Sequence, residues 1–345
     1  MIPLLYAVMH FFVDFICAWA MFSAFRLGSD AYFQLLVYNF CAFALQMPLG
    51  TCLDLVRCRI KGRIRAYASL IWTGMGVLLT VIGSFTSAWI LGTGNALFHV
   101  GGGLDVIDED FSGNRKGKDL GIFVAPGAIG LYLGTVLGTA NISFDVVFWA
   151  AGILCILFIL LFTKKWRADS ISSPVAKQSG KHNYLLVMGC LIVVILRSLT
   201  GFQLNFTWKA APILAWVSVF AVAGGKVAGG FLAASLGMKK AIVCSLLLSC
   251  GCFLLGEIPF FGIAGIFLFN MTMPVTLYLL AEHIQEAPGF AFGLLTFGLF
   301  LGFLPVYANL ALPLSPGIVG ILGSGVSLVL LLLCWKVVEY DSVFS

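Results

Sequence analysis

From residue 2 to residue 337 the chain is an almost unbroken succession of apolar stretches, each about as long as a lipid bilayer is thick. A helix crossing the hydrocarbon core, about 30 Å, needs about 20 mainly apolar residues rising about 1.5 Å each. In lipid its backbone N–H and C=O groups must also be satisfied within the segment. Twelve stretches meet that requirement, at 2–26, 32–55, 66–87, 88–107, 120–140, 144–163, 184–204, 210–236, 240–256, 258–281, 289–312 and 316–337, with eleven as the alternative count. Turn signals at Thr86-Ser87 and Glu257-Ile258-Pro259 separate neighbours that otherwise run together. The expected fold is therefore all-α, with twelve membrane spans. Only 10% of residues are charged, against roughly 25% in a soluble domain, which could not hide so much apolar surface.

The ten cysteines are scattered along apolar stretches, without a paired set in a loop or zinc-type spacing, and read as small buried hydrophobes. The first stretch has no basic leader and carries His10 and Asp14 in mid-span, so it reads as a retained helix. Lysine and arginine set the orientation. Arg57, Arg59, Lys61, Arg63 and Arg65 follow span two, Arg115, Lys116 and Lys118 follow span four, and Lys164, Lys165, Arg167, Lys177 and Lys181 follow span six. Lys239, Lys240 and Lys336 fall on the same side, giving sixteen of the twenty basic residues, whereas Arg26 and Lys209 lie opposite. The positive-inside rule then places both termini in the cytoplasm of a multi-pass protein of the cell inner (plasma) membrane. The net charge of +5 is this topological signal, and no nucleic-acid partner is expected.

The one long polar connection, 164–183, lies near the middle of the chain and predicts a cytoplasmic linker between six-helix bundles at 1–163 and 184–345. Two internal repeats support that division. Gly121, Gly130 and Gly134 in span five recur with the same spacing as Gly289, Gly298 and Gly302 in span eleven. Small residues at helical spacing let helices approach closely; a sliding contact between moving halves is expected at Gly130, Gly134, Gly298 and Gly302, with plain tight packing as the alternative. The second repeat joins Gly50-Thr-Cys-Leu-Asp54 at the end of span two to Gly230-Phe-Leu-Ala-Ala-Ser-Leu-Gly237-Met-Lys239-Lys240 at the end of span eight.

That second repeat resembles the Gly-x-Leu-Ala-Asp-Arg-x-Gly-Arg-Lys signature of the major facilitator superfamily. One copy keeps the acid as Asp54, and the other keeps both glycines and the basic pair but has Ala234 at the acidic position. Gly92-Thr-Gly94-Asn95-Ala-Leu-Phe98-His99, followed by a Gly-Asn-Arg-Lys-Gly turn, is similar to the fourth-to-fifth helix region of the fosmidomycin-resistance-type efflux group, although Val100 replaces its usual proline. The His10-x-x-x-Asp14 pair is similar to that group too. The resemblance implies two pseudo-symmetric bundles, in which spans one, four, seven and ten line a central cavity and the third helix of each triplet faces lipid.

Ionisable groups in mid-membrane cost about 2.5–3.5 kcal/mol each on insertion scales, so their positions are informative. They fall on span one (His10, Asp14), span four (His99), span seven (Arg197) and span eight (Lys226), and the neutral amides Asn95 and Asn270 lie on spans four and ten. His10 and Asp14 share a helix face and with His99 can form a proton-coupling site; a structural hydrogen-bonded cluster is the rival, and a metal centre is not expected because no fourth ligand is evident. Arg197 and Lys226 are the mid-span cations and, with Asn95 and Asn270, the candidate substrate contacts, arginine offering a planar fork to an oxyanion; internal pairing with Asp14, or snorkelling of Lys226 toward the cytoplasm, is the alternative. Gating is assigned to Gly50, Asp54, Gly130, Gly134, Gly230, Gly298 and Gly302, with Asp54 and the basic run facing Asp105, Asp108, Glu109 and Asp110. A calcium-loop pattern from Asp108 to Asp119 is opposed by Arg115, Lys116 and Lys118 within it.

These readings predict a monomeric secondary transporter of a small organic anion, coupled to protons, with export implied by the resemblance; an importer or uniporter is the alternative. No cofactor is expected. An intramembrane enzyme is a reading from another class, and the sequence has no His-Glu-x-x-His, Gly-x-Ser-x-Gly or Gly-x4-Gly-Lys-Ser/Thr pattern to support it.

Overall fold

Among the described residues, twelve helical rods are formed where the apolar stretches predict them. The structure, a computed structural model, describes residues 1–26, 28–60, 63–167, 184–310 and 312–344, with backbone only at 63, 64, 66, 166, 167 and 340–344. In chain order the rods are α1 (Ile2–Phe22), α2 (Ala31–Arg59), α3 (Arg63–Thr86), α4 (Ala88–Ser112), α5 (Lys118–Thr139) and α6 (Asp145–Arg167). Then come α7 (Tyr184–Gln203), α8 (Pro212–Leu236), α9 (Met238–Leu254), α10 (Pro259–His283), α11 (Pro288–Tyr307) and α12 (Pro316–Phe344). Ten are long and apolar enough to cross a membrane. The other two are α4, whose last turns carry four acids, and α9, with 17 residues.

The turns fall where local chemistry demands them. Ser87 is in extended backbone and its side chain accepts the Ile90 N–H at 3.3 Å, capping α4 directly after α3. Pro259 starts α10 at a position where no N–H is needed. Gly237 has φ +90°, a conformation disfavoured for side-chain-bearing residues, and turns α8 into α9.

Three rods are interrupted, which the hydropathy pattern does not show. In α2 a π-turn occupies Phe40–Ala44, with Leu45 N–H donating to the Phe40 carbonyl five residues back. Pro48 follows and cannot bond the Ala44 carbonyl. α5 breaks at Ala125, before Pro126, and α10 breaks at Met271, next to the Asn270 carbonyl that the Pro274 ring would meet. Other boundaries differ too: α1 ends at Phe22 rather than residue 26, and α12 continues to Phe344 rather than stopping at 337. The expected linker at 164–183 begins as the last turn of α6, and its remainder, 168–183, lies outside the described residues.

The chain forms two compact units. The first comprises Met1–Gly113, Ile122–Val175 and Ala287–Phe297; the second comprises Asn114–Gly121, Ala176–Glu286 and Gly298–Ser345. Each unit therefore takes in one short piece from the other half of the sequence.

Glycines set the packing inside the first unit. A Cβ at Gly76, Gly83, Gly94 or Gly101 would collide with the backbone of the facing helix, so α3 and α4 touch along their length. Gly130, Gly134 and Gly138 likewise press α5 onto the α1 backbone at Phe11, Phe15 and Trp19. In the second unit Gly302 meets the Ile195 carbonyl of α7, and Gly298 meets the Leu191 side chain at 3.0 Å. The sequence expects a sliding contact between halves at Gly130, Gly134, Gly298 and Gly302; the nearest neighbours found at these positions belong to other helices of the same unit. Each of these glycines packs a helix against a partner of its own unit.

Outward, α3, α6, α9 and α12 present large apolar side chains, among them Leu78, Trp149, Ile156, Leu247, Leu254 and Val329. Such exposure suits a hydrocarbon solvent and not water.

Candidate functional site

The cluster in the first unit is assembled from two helices and one broken rod. His10 and Asp14 are one turn apart on α1, and Asn95 and His99 are one turn apart on α4. Their side chains meet: His10 Nε2 is 3.1 Å from Asp14 Oδ2, His99 Nε2 is 3.7 Å from Asp14 Oδ1, and the two Nε2 atoms are 2.8 Å apart. Asn95 Nδ2 donates to Asp14 Oδ1 at 3.1 Å and approaches Cys17 Sγ at 3.6 Å. Both rings are buried.

The second nitrogen of each ring is also engaged. His99 Nδ1 lies 2.8 Å from the Asn95 carbonyl, and His10 Nδ1 lies 2.7 Å from the Phe123 carbonyl. Phe123 sits in the last turn before the α5 break, where helix carbonyls lack an intrahelical donor. Gly127, just beyond Pro126, makes room for the cluster, because a Cβ there would run into His10 Nε2 and Asp14 Oδ2. Sequence reasoning missed both contributions. The Pro126-Gly127 pair inside an apolar stretch was the available signal.

In the second unit Arg197 of α7 is 6% exposed. Its Nη2 donates to Thr272 Oγ1, at the α10 break, and the guanidinium lies over the Phe269 ring at 5.8 Å. Nε and Nη1 are both shielded and have no hydrogen-bond partner, and among the described residues no carboxylate forms an ion pair with this side chain. Thr272 was not anticipated. Asn270 turns back to its own helix, donating to the Ile266 carbonyl at 2.8 Å, and Lys226 is half-buried, so neither joins Arg197 in a described contact. Lys209, in the connection after α7, donates to the Leu204 carbonyl at 2.6 Å, and burial lowers its pKa to about 8.

The anticipated gating residues form two related contacts. Asp54 accepts the N–H groups of Gly289 and Phe290 at 3.0 and 2.8 Å, holding the first turn of α11 on α2, and Gly50 lies against the Gly289 carbonyl so closely that a Cβ would not fit. A carboxylate at a helix N-terminus contributes about 0.3–1 kcal/mol, up to about 2 when partly buried. In the second unit Gly230 of α8 takes the matching place, meeting the Gly117 carbonyl just before α5, with Lys118 over the Phe231 ring. The sequence repeat between spans two and eight reappears as a repeat of contacts. Because Ala234 replaces the acid, only the first copy has the carboxylate.

The acidic end of α4 is used within its own unit. Arg57 pairs with Asp108, and Asp105 accepts from both Lys165 and the Tyr6 hydroxyl, all three of these last residues being buried. Lys165 and Tyr6 were not anticipated as its partners. The calcium-loop reading meets a helix instead, since Asp108 and Asp110 lie within α4.

No family model matches this sequence, and no curated protein matches it. Solved structures do. The chain is similar to a major facilitator superfamily transporter, FucP, in an outward conformation, described also as the fucose:proton symporter of E. coli, with a TM-score of 0.60, 13% identity, and 95% of this chain and 98% of that one covered. It is similar as well to the human organic anion transporter MFSD10 (TETRAN), with a TM-score of 0.59, 16% identity, and 95% and 99% covered. At that identity the likeness shows the fold: this chain has the major facilitator architecture.

Proposed function

We propose that the protein is a secondary active transporter that moves a small organic anion by alternating access, coupled to protons. It works as a monomer in the cell inner (plasma) membrane with both termini in the cytoplasm. Arg197 carries the assignment of substrate class. A buried guanidinium with two idle donors and no described carboxylate partner suits a ligand that brings its own oxyanion, which a planar fork holds through two parallel hydrogen bonds. The Phe269 ring beneath it favours the same cation.

The His10, Asp14 and His99 cluster supplies the proton site. The similarity to a structure named as a proton symporter and to one named as an organic anion transporter is consistent with both assignments. Export rests on the resemblance of residues 92–99 to the fosmidomycin-resistance-type group. Asp54 and the glycines at 50 and 230 act as the gate, holding one state through the α2–α11 and α8–α5 contacts.

The test is a thermal-shift screen of purified protein against organic carboxylates, phosphonates and their neutral analogues. A ligand at about 100 times its Kd stabilises the folded state by about 2.7 kcal/mol. Anions should shift the melting temperature and neutral analogues should not. Arg197→Lys should weaken binding of the best anion by about 1 kcal/mol or more, through loss of the fork. Equal responses to anions and neutral analogues, together with unaltered binding in Arg197→Lys and Arg197→Gln, would remove this residue from the site.

A further inference from the structure

The hydrogen bonds around the two histidines fix where a proton resides. A backbone carbonyl can only accept, so the Nδ1 atoms facing the Phe123 and Asn95 carbonyls must both carry hydrogen. A neutral imidazole has one N–H, which leaves a lone pair on each Nε2. Yet these two atoms face each other at 2.8 Å. Two lone pairs repel at that distance, whereas an N–H···N hydrogen bond fits it. Two nitrogen ligands of one tetrahedral zinc, with bonds of about 2.0–2.1 Å, would stand about 3.3 Å apart.

We infer that His10 and His99 hold one proton between their Nε2 atoms as a bis-imidazole pair, with Asp14 as its fixed counter-ion. This rests on the proton-coupling reading above and names the carrier: the histidine pair rather than the carboxylate. The pair bears one positive charge and Asp14 one negative charge, so the loaded cluster is neutral, as burial requires. When the proton leaves, two lone pairs and a carboxylate converge. Release therefore requires His10 and His99 to separate, which ties the proton to the packing of α1 on α4.

Asp14 is the carboxylate that meets both rings. On α1, Cys17 lies beyond Asp14, and Tyr38 of α2 stands beside it; Tyr6 is bound to Asp105. On α5, Lys118 and Asp119 open the first segment, a turn or more before Phe123, and Tyr132 lies in the second. Those of α3 (Arg63, Arg65 and Tyr67) occupy its first five residues, and α6 has Asp145, Lys164, Lys165 and Arg167 towards its ends, with Cys155 exposed between them. On α4, Asp105, Asp108, Glu109 and Asp110 begin more than a turn beyond His99.

The test is 15N NMR of histidine-labelled full-length protein in nanodiscs, with His182→Gln and His283→Gln introduced to leave two histidines. Expected at neutral pH are two protonated Nδ1 atoms and one 15N–15N scalar coupling between the Nε2 atoms, abolished by His99→Gln. Asp14→Asn should retain the coupling, because the shared proton sits between the two rings and not on the carboxylate. An Nε2–H tautomer on both rings, or no coupling at any pH in folded protein, would overturn the shared proton.

Transport in proteoliposomes separates the two levels of argument. If gradient-driven accumulation depends on His10 and His99 but no coupling is seen, the shared proton fails and the coupling reading stands. If the coupling is seen but His99→Gln responds to the gradient like wild type, the coupling reading fails.

Discussion

Lys165 illustrates how a residue's position in sequence can conceal its work. It sits in a basic run at the end of α6, where the positive-inside rule accounts for it fully, yet it is 5% exposed and paired with Asp105, itself 4% exposed. Tyr6, the other partner of Asp105, is one aromatic residue among many in an apolar stretch and gives no signal at all. By contrast His10, Asp14, Asn95, His99 and Arg197 were legible because polar side chains in mid-membrane are costly and rarely idle. The Asp105 arrangement predicts an asymmetry. Lys165→Met leaves a buried carboxylate without its cation and should destabilise by about 3–5 kcal/mol, whereas Lys165→Met with Asp105→Asn should recover more than half of that loss. Melting temperatures of the two variants in detergent decide it. A single variant as stable as wild type would mean that the pair contributes nothing to the fold.

At the level of elements, hydropathy located the rods but not their interruptions. The π-turn at Phe40–Ala44 and the breaks at Ala125 and Met271 depend on single prolines and on tertiary partners for freed carbonyls, and an average over about 20 residues is blind to both. The Phe123 carbonyl that holds His10 is one such group. The glycine repeat was legible as close approach, but not which helix was approached, because spacing does not identify the partner. The two copies also differ in what surrounds them. At Gly130 any side chain meets the rigid backbone of Phe11, while at Gly298 it meets the flexible end of Leu191. Gly130→Leu should therefore abolish most folded protein, with overpacking costing about 1–3 kcal/mol or more. Gly298→Ala should change expression and melting temperature little. Equal yields of monodisperse protein from both variants would contradict this account of the α1–α5 contact.

For the whole molecule, twelve rods follow from the length and spacing of apolar stretches, and their two-fold repetition follows from glycine spacing and the Gly50 and Gly230 strings. The division into units is less simply written: 114–121 and 287–297 group with the opposite half of the chain, because packing at Gly230 and Gly50 outweighs sequence proximity there. No single-residue pattern announces that exchange. Orientation rests instead on charge, since sixteen of the twenty basic residues fall on one side of the predicted spans. An even number of spans puts both termini on one side, and the proposed orientation makes that side the cytoplasm by the positive-inside rule. On that proposal the connections between α5 and α6 and between α11 and α12 face outward. In a background freed of accessible native cysteines, Ser143→Cys and Ser315→Cys should react with a membrane-impermeant thiol reagent applied to intact cells, and Ser172→Cys should react only after the cells are opened. Labelling at position 172 in intact cells would invert the topology. The proposed proton and anion sites would keep their places in the fold, and the proposed direction of transport would have to be argued afresh.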